Sequence, residues 1–203
     1  MSHHPNEVAQ DYYDENVESF MARTLHVDMG VVYERFLPLI PPGGRILDAG
    51  CGSGRDALAF KQRGYVVHAF DASPVLAARA SEVLGQKVET ARLETFQCSQ
   101  SFDGIWACAS LLHVPWTGLP GAMNNLSGCL KLSGHMYASF KYGEGDRQQG
   151  SRRFTDMNTA RFREVLGKTL GLVLKDEWTS DDQRTDHTQE KWFNVILERR
   201  GRT

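Results

Sequence analysis

Asp48 closes the apolar run Arg45-Ile46-Leu47, and Gly50, Gly52 and Gly54 follow it at alternate positions. That pattern reads as a buried strand entering a tight turn, with a helix beginning near Asp56. Glycine at every second position opens backbone dihedrals closed to other residues and lets a ligand approach the main chain. Such a turn at the carboxyl end of the first strand of an α/β sheet is a docking place for nucleotide-like ligands. The spacing selects among them. A dinucleotide fingerprint requires glycine where Arg55 stands, and a phosphate-binding loop requires Gly-Lys-Ser/Thr, which is missing. An acid at the strand end suits a ligand with a cationic head, such as the ammonium and sulfonium of S-adenosylmethionine. The next apolar run, 65–70, also ends in an acid, Asp71. It lies close to the roughly 20 residues downstream expected of a ribose-binding carboxylate. Its oxygens can accept from both ribose hydroxyls, with Ala72 under the adenine.

The runs Leu47-Asp48-Ala49-Gly50-Cys51-Gly52-Ser53-Gly54, Phe70-Asp71-Ala72-Ser73 and Phe102-Asp103-Gly104-Ile105-Trp106-Ala107 together resemble class I S-adenosylmethionine-dependent methyltransferases over nearly the whole chain. Tyr12-Tyr13, Leu111-Leu112-His113-Val114 and Lys141-Tyr142-Gly143-Glu144-Gly145 are similar to small bacterial enzymes grouped with tellurite-resistance-type methyltransferases. The resemblance implies S-adenosylmethionine as cofactor, S-adenosylhomocysteine as product, and no metal. Methyl transfer from a sulfonium is an in-line displacement, so the protein has mainly to align acceptor and methyl and exclude water. Neither a nucleophilic triad nor a metal cluster is needed.

On that resemblance the cofactor contacts are Asp48, Ala49, Gly50, Cys51, Gly52, Gly54 and Arg55 at the first turn. Asp71, Ala72 and Ser73 follow at the second strand end, and Leu93 and Glu94 meet the adenine edge. Ala109, after the fourth strand, completes the set with Tyr12 and Arg23 from the start of the chain. His113 is expected to face the transferred methyl as general base or positioning group; the alternative is a structural histidine beside Trp116. Tyr12 and Tyr13 point about 100° apart on a helix, so one packs on the core while the other closes over cofactor or substrate; Tyr13 is a catalytic candidate with His113. Lys141 and Tyr142, with Arg147, Arg152 and Arg153 in a glycine-rich loop, read as a clamp for an anionic acceptor. Arg184, between the last two strands, is a further substrate candidate, whereas Trp192 and Asn194 read as edge-strand packing.

Periodicity supplies the frame. Residues 7–22 read as an amphipathic helix and 29–37 as a second, before Pro41-Pro42-Gly43-Gly44. Strand-like runs at about 45–49, 65–70, 87–90, 103–108 and 134–140 then alternate with helical stretches near 56–63, 74–84, 119–130 and 157–168. The segments 171–178 and 191–197 have no helix between them and should pair antiparallel at the sheet edge. The expected fold is α/β and Rossmann-like, doubly wound. Its mostly parallel seven-stranded sheet has an antiparallel last strand and helices on both faces. It is a single domain over 1–203, with 1–40 as a helical lid on a 41–203 core.

At 41% hydrophobic and 24% charged residues the chain has an ordinary globular composition. A net charge of −2 gives no global attraction to nucleic acid or anionic membrane. The four cysteines lack metal-ligand spacing, and a reducing cytoplasm is expected. No apolar run is long enough to span a membrane. The partner expected is therefore a small-molecule acceptor. Two alternatives stand beside it: RNA or protein methylation docking through the 141–153 loop, and a non-catalytic S-adenosylmethionine-binding regulator.

Overall fold

A computed structural model describes residues 12–182 and 190–201. The strands are β1 (Arg45–Ala49), β2 (Val66–Asp71), β3 (Glu89–Thr90), β4 (Phe102–Ala107), β5 (Leu130–Lys141), β6 (Asp146–Gln149), β7 (Arg152–Thr155), β8 (Leu172–Asp181) and β9 (Lys191–Arg199). Seven form one sheet in the order β3-β2-β1-β4-β5-β9-β8. The first five pair in parallel, and β9 runs antiparallel to both β5 and β8. The expected closing pair therefore lies at the edge, with the final strand inserted inside it and β8 outermost. In β1 the four residues after Arg45 are all buried. Helices cover both faces of a parallel sheet, so its strands read as continuous apolar runs.

The helices are α1 (Val17–Thr24), α2 (Gly30–Phe36), α3 (Arg55–Gln62), α4 (Pro74–Leu84), α5 (Leu119–Cys129) and α6 (Thr159–Leu166). Residues from α2, α3 and α4 pack one sheet face around Phe36, Phe60, Trp106 and Tyr137, and α5 and α6 pack the other around Met123, Phe140, Phe162 and Phe193. Tyr137 stacks on Trp106 with ring centroids 4.0 Å apart; such pairs add about 0.5–1.5 kcal/mol beyond area burial. Sequence chemistry sets the boundaries of α4. The Ser73 hydroxyl accepts from the Leu76 N–H at 3.0 Å, Pro74 opens the first turn, and Gly85 ends it at φ 60°.

Several boundaries differ from the sequence reading. The helix expected over 7–22 is described from residue 12, breaks at Asn16, and resumes as α1 to Thr24. The Asn16 amide donates to the Tyr12 carbonyl at 2.8 Å, competing with the helix ladder. Strand β5 begins at Leu130, not 134, with a register shift opposite Phe102 and Gly104 and a left-handed Ser133. The glycine-rich stretch read as a loop contains a hairpin, β6–β7, turning through Gly150 at φ 60°. Cys98 and Cys129 form a disulfide, which the expectation of a wholly reduced set did not include. No described helix is long and apolar enough to cross a membrane.

Candidate active site

The turn after β1 is built for a close approach. Gly50, Gly52 and Gly54 all have positive φ, at 78°, 53° and 76°. A Cβ on Gly50 would lie 2.5 Å from the Ser110 Cβ, and one on Gly52 would lie 3.1 Å from the Phe20 ring. Asp71 stitches this turn to the end of β2: its carboxylate accepts from Gly52 N–H at 2.8 Å and Ser73 N–H at 2.9 Å. Burial raises its pKa against those backbone donors. Asp48 is 2% exposed and accepts from Ala57 N–H at 3.1 Å. Burial, then Asp56, holds its pKa well above the usual carboxylate range.

Asp56, read from sequence only as a helix start, is the opposite case. Burial opposes its ionisation, but the Arg55 guanidinium holds the carboxyl below its ordinary value. Arg55 donates at 2.7 and 2.8 Å to its two oxygens. The Trp106 indole N–H, at 2.8 Å, and the Tyr33 hydroxyl complete the shell. Arg55 is thus committed to an ion pair.

A cavity of about 500 Å³ runs from this turn across the carboxyl ends of the strands. Among the expected cofactor residues, Asp48, Gly50, Cys51, Gly52 and Arg55 line it, as do Asp71, Ala72, Ser73, Leu93, Glu94, Ala109 and Arg23. Three lie outside the lining. Ala49 is fully buried within β1, Gly54 caps α3, and Tyr12 is displaced by its neighbour. Ala109 is left-handed at φ 52°, a backbone costing strain in a non-glycine residue, and its N–H donates to the Ser139 hydroxyl at 2.8 Å. The N-terminal helical segment covers the turn through Phe20. It is tied down by the Ser73 hydroxyl donating to Asp14 and by Glu18 pairing with Arg79 at 3.1 Å.

Tyr13 and His113 also line the cavity, Tyr13 packing on Phe20 with ring centroids 5.1 Å apart. The His113 Nδ1 lies 2.9 Å from the Arg153 carbonyl, which can only accept, so Nδ1 carries the proton. Nε2, 2.9 Å from the Tyr13 hydroxyl, then receives the phenolic hydrogen. Burial lowers the His113 pKa to about 4, keeping the imidazole neutral. Burial also raises Tyr13, while Arg152 pulls it down. The Arg152 guanidinium lies 4.3 Å from the Tyr12 ring centroid and 5.2 Å from that of Phe154. Its buried Nε has no hydrogen-bond partner, and it has no carboxylate partner among the described residues. Thr155 fixes the hairpin to the histidine turn, its hydroxyl donating to the Val114 carbonyl at 2.9 Å.

The expected cationic clamp is mostly neutralised. Lys141 lines the cavity but pairs with Asp182 at 3.0 Å and with Glu190, and lies 4.0 Å from the Trp192 ring centroid. Arg147 is held by Asp156 at 2.6 Å and Arg153 by Asp146 at 2.8 Å. Tyr142 is 53% exposed and lies outside the cavity lining, as does Arg153. Arg184 falls outside the described residues. Of the described clamp residues, Arg152 lines the cavity without a carboxylate partner. Trp192 and Asn194, read as packing residues, line the cavity with Trp178 and Ser139; their one sequence signal was position at the ends of strands that meet the site. Lys141→Met is expected to lower stability by about 3–5 kcal/mol, because it removes one member of the buried Lys141–Asp182 ion pair. Urea unfolding would register this as an earlier midpoint.

Among the described residues, no three or more His, Cys, Asp or Glu side chains are grouped to hold a metal. The methyltransferase domain model matches residues 17–193. No curated protein is similar enough in sequence to count as a match. Solved structures with the same fold include the Burkholderia thailandensis 1,6-didemethyltoxoflavin-N1-methyltransferase, bound to 1,6-didemethyltoxoflavin and S-adenosylhomocysteine. It is 18% identical, with a TM-score of 0.76, covering 99% of this chain and 92% of that one. The magnesium protoporphyrin IX methyltransferase of Synechocystis, with bound S-adenosylmethionine, is 18% identical at a TM-score of 0.70 and covers 98% of each chain. A TehB-like S-adenosylmethionine-dependent methyltransferase from Corynebacterium glutamicum is 20% identical at 0.68, covering 94% and 98%. The family model spans most of the chain, and it is this match that assigns it: the chain belongs to the methyltransferase domain family.

Proposed function

We propose that this enzyme transfers the methyl group of S-adenosylmethionine to a small acceptor bearing an anionic group. The observation that carries the reading is one cavity joining the Asp71-bound glycine turn to Tyr13, His113 and Arg152. When bound, S-adenosylmethionine supplies an already activated methyl group. Asp71 receives the ribose hydroxyls, and Ala72, Ser73, Leu93 and Glu94 surround the adenine. Asp48, Cys51, Arg23 and the glycine turn hold the methionyl portion. The described residues 12–40 act as a lid on the core that follows them. Tyr13 takes the acceptor's proton as its own phenolic hydrogen passes to His113 Nε2, and Arg152 receives the acceptor's negative charge. The acceptor atom is oxygen, nitrogen, sulfur or a metalloid; the resemblance of its motifs to tellurite-resistance-type methyltransferases makes a metalloid oxyanion one acceptor to assay. The working compartment is the cytoplasm.

Docking of RNA through the 141–153 segment is less well supported, because Lys141, Arg147 and Arg153 are each paired with carboxylates. A non-catalytic regulator would have no use for the Tyr13–His113 pair. The test is Arg152→Met, assayed with the acceptor isolated by its ability to drive S-adenosylhomocysteine formation. A charge-assisted hydrogen bond contributes about 1.5–3 kcal/mol, so the acceptor KM should rise about 10- to 100-fold, with S-adenosylmethionine affinity unchanged. An unchanged acceptor KM would refute the anionic contact.

A further inference from the structure

We propose that the Cys98–Cys129 pair is a redox-sensitive clasp that sets cofactor affinity by fixing the loop over the adenine end of the cavity. The inference rests on the reading that Leu93 and Glu94 meet the adenine. Both line the cavity from the segment between β3 and β4. The front of that segment is anchored to the ribose side, since the Ala91 N–H donates to the Asp71 carbonyl at 2.9 Å. In its middle, Phe96 stacks on Phe70 with centroids 4.3 Å apart. Helix α5 supplies the rest. The Asn125 amide donates to the carbonyls of Leu93, at 3.0 Å, and Phe96, at 2.9 Å. One turn further along α5, Cys129 is bonded to Cys98, with Cα atoms 5.8 Å apart. The disulfide is the covalent member of a set of ties holding one loop, and it closes that loop's far end.

The two cysteines differ in burial. Cys129 is buried at the end of α5, whereas Cys98 is half-buried in the loop. The other two cysteines are free. Burial pushes the Cys51 thiol well above its ordinary value and the Cys108 thiol up to about 12, which keeps both in the unreactive protonated form. Reduction proceeds by thiol–disulfide exchange with a dithiol. Its first thiolate attacks the Cys98 sulfur, forming a mixed disulfide and releasing the Cys129 thiolate, which takes up a proton. The second thiol of the reductant then displaces Cys98, leaving two protein thiols and one oxidised reductant, a two-electron exchange. Oxidation by diamide, which accepts the same two electrons and two protons, restores the clasp. Because the Ala91, Phe96 and Asn125 ties persist after reduction, the loop loosens without unfolding. In a reducing cytoplasm the clasp is open, and an oxidising episode closes it.

The experiment compares full-length protein oxidised with diamide and reduced with dithiothreitol, using S-adenosylhomocysteine as the calorimetric probe. Thiol titration in denaturant should count two thiols in the first state and four in the second. The oxidised form should bind about 3- to 10-fold more tightly, with slower amide exchange over 91–98. Cys98→Ser should show the weaker affinity under both conditions; the more exposed position avoids a buried substitution, and reduced wild type serves as a control without mutation. Equal affinity in both states, or four thiols after diamide, would overturn this proposal alone. Absence of binding in both states would overturn the cofactor reading together with it.

Discussion

Replacing Asp71 by alanine is expected to weaken S-adenosylhomocysteine binding about 100-fold or more. If both ribose hydroxyls donate to this carboxylate, two charge-assisted bonds of about 1.5–3 kcal/mol each are lost. The same carboxylate also holds the Gly52 and Ser73 amides. Its loss therefore frees the turn that the ligand must approach. Global stability should move less than affinity. The folded-state pKa of Asp71 is raised by burial, so ionising it disfavours the folded state as pH rises through that value. Alanine lacks that penalty, which offsets part of the lost hydrogen bonding. Calorimetry beside a thermal melt separates the two quantities. A variant with wild-type affinity would show that the ribose lies elsewhere.

Tyr13→Phe and His113→Gln should each lower kcat by about 10²- to 10⁴-fold, the usual worth of a positioned acid–base group. Affinity for S-adenosylhomocysteine should change less than kcat, since neither side chain is hydrogen-bonded to Asp71 or to the glycine turn. The wild-type rate should be nearly flat from neutral pH downward and fall as His113 protonates near its depressed pKa of about 4. Stability shows the same group differently. The unfolded chain protonates its histidine near 6.5, so stability falls as pH drops from that value toward 4 and then levels. Full activity in His113→Gln would reduce this histidine to a hydrogen-bonded strut between Tyr13 and β7.

Local patterns made the donor half of the site legible, and that is why it could be read. Asp48, the alternate glycines and Asp71 sit at strand ends in segments whose conformation their own residues dictate. The acceptor half depends on contacts far apart in the chain. Nothing near Lys141 announces that Asp182 and Glu190 will neutralise it across two strands, so a charge count over 141–153 overstated the clamp. The hairpin hid in the same stretch, because glycine content reads as a loop until cross-strand pairing is seen. Edge-strand position makes Trp192 read as packing, whereas the pairing of β9 with β5 brings it to the cavity. The choice between Tyr12 and Tyr13 was open for a simpler reason: two helical neighbours diverge, and only the lid's docking decides which faces inward. The Cys98–Cys129 bond spans 31 residues and joins a loop to a helix end, a separation from which spacing alone identifies no partner.

The most direct measurement is the fate of the methyl group. Purified protein is incubated with methyl-labelled S-adenosylmethionine and a cell extract divided into low-mass, RNA and protein fractions. Label should enter a low-mass product in a one-to-one ratio with S-adenosylhomocysteine, and Asp71→Ala and His113→Gln should suppress it. Label in RNA or protein, or binding of the donor with no S-adenosylhomocysteine formed from any fraction, would contradict methyl transfer to a small acceptor.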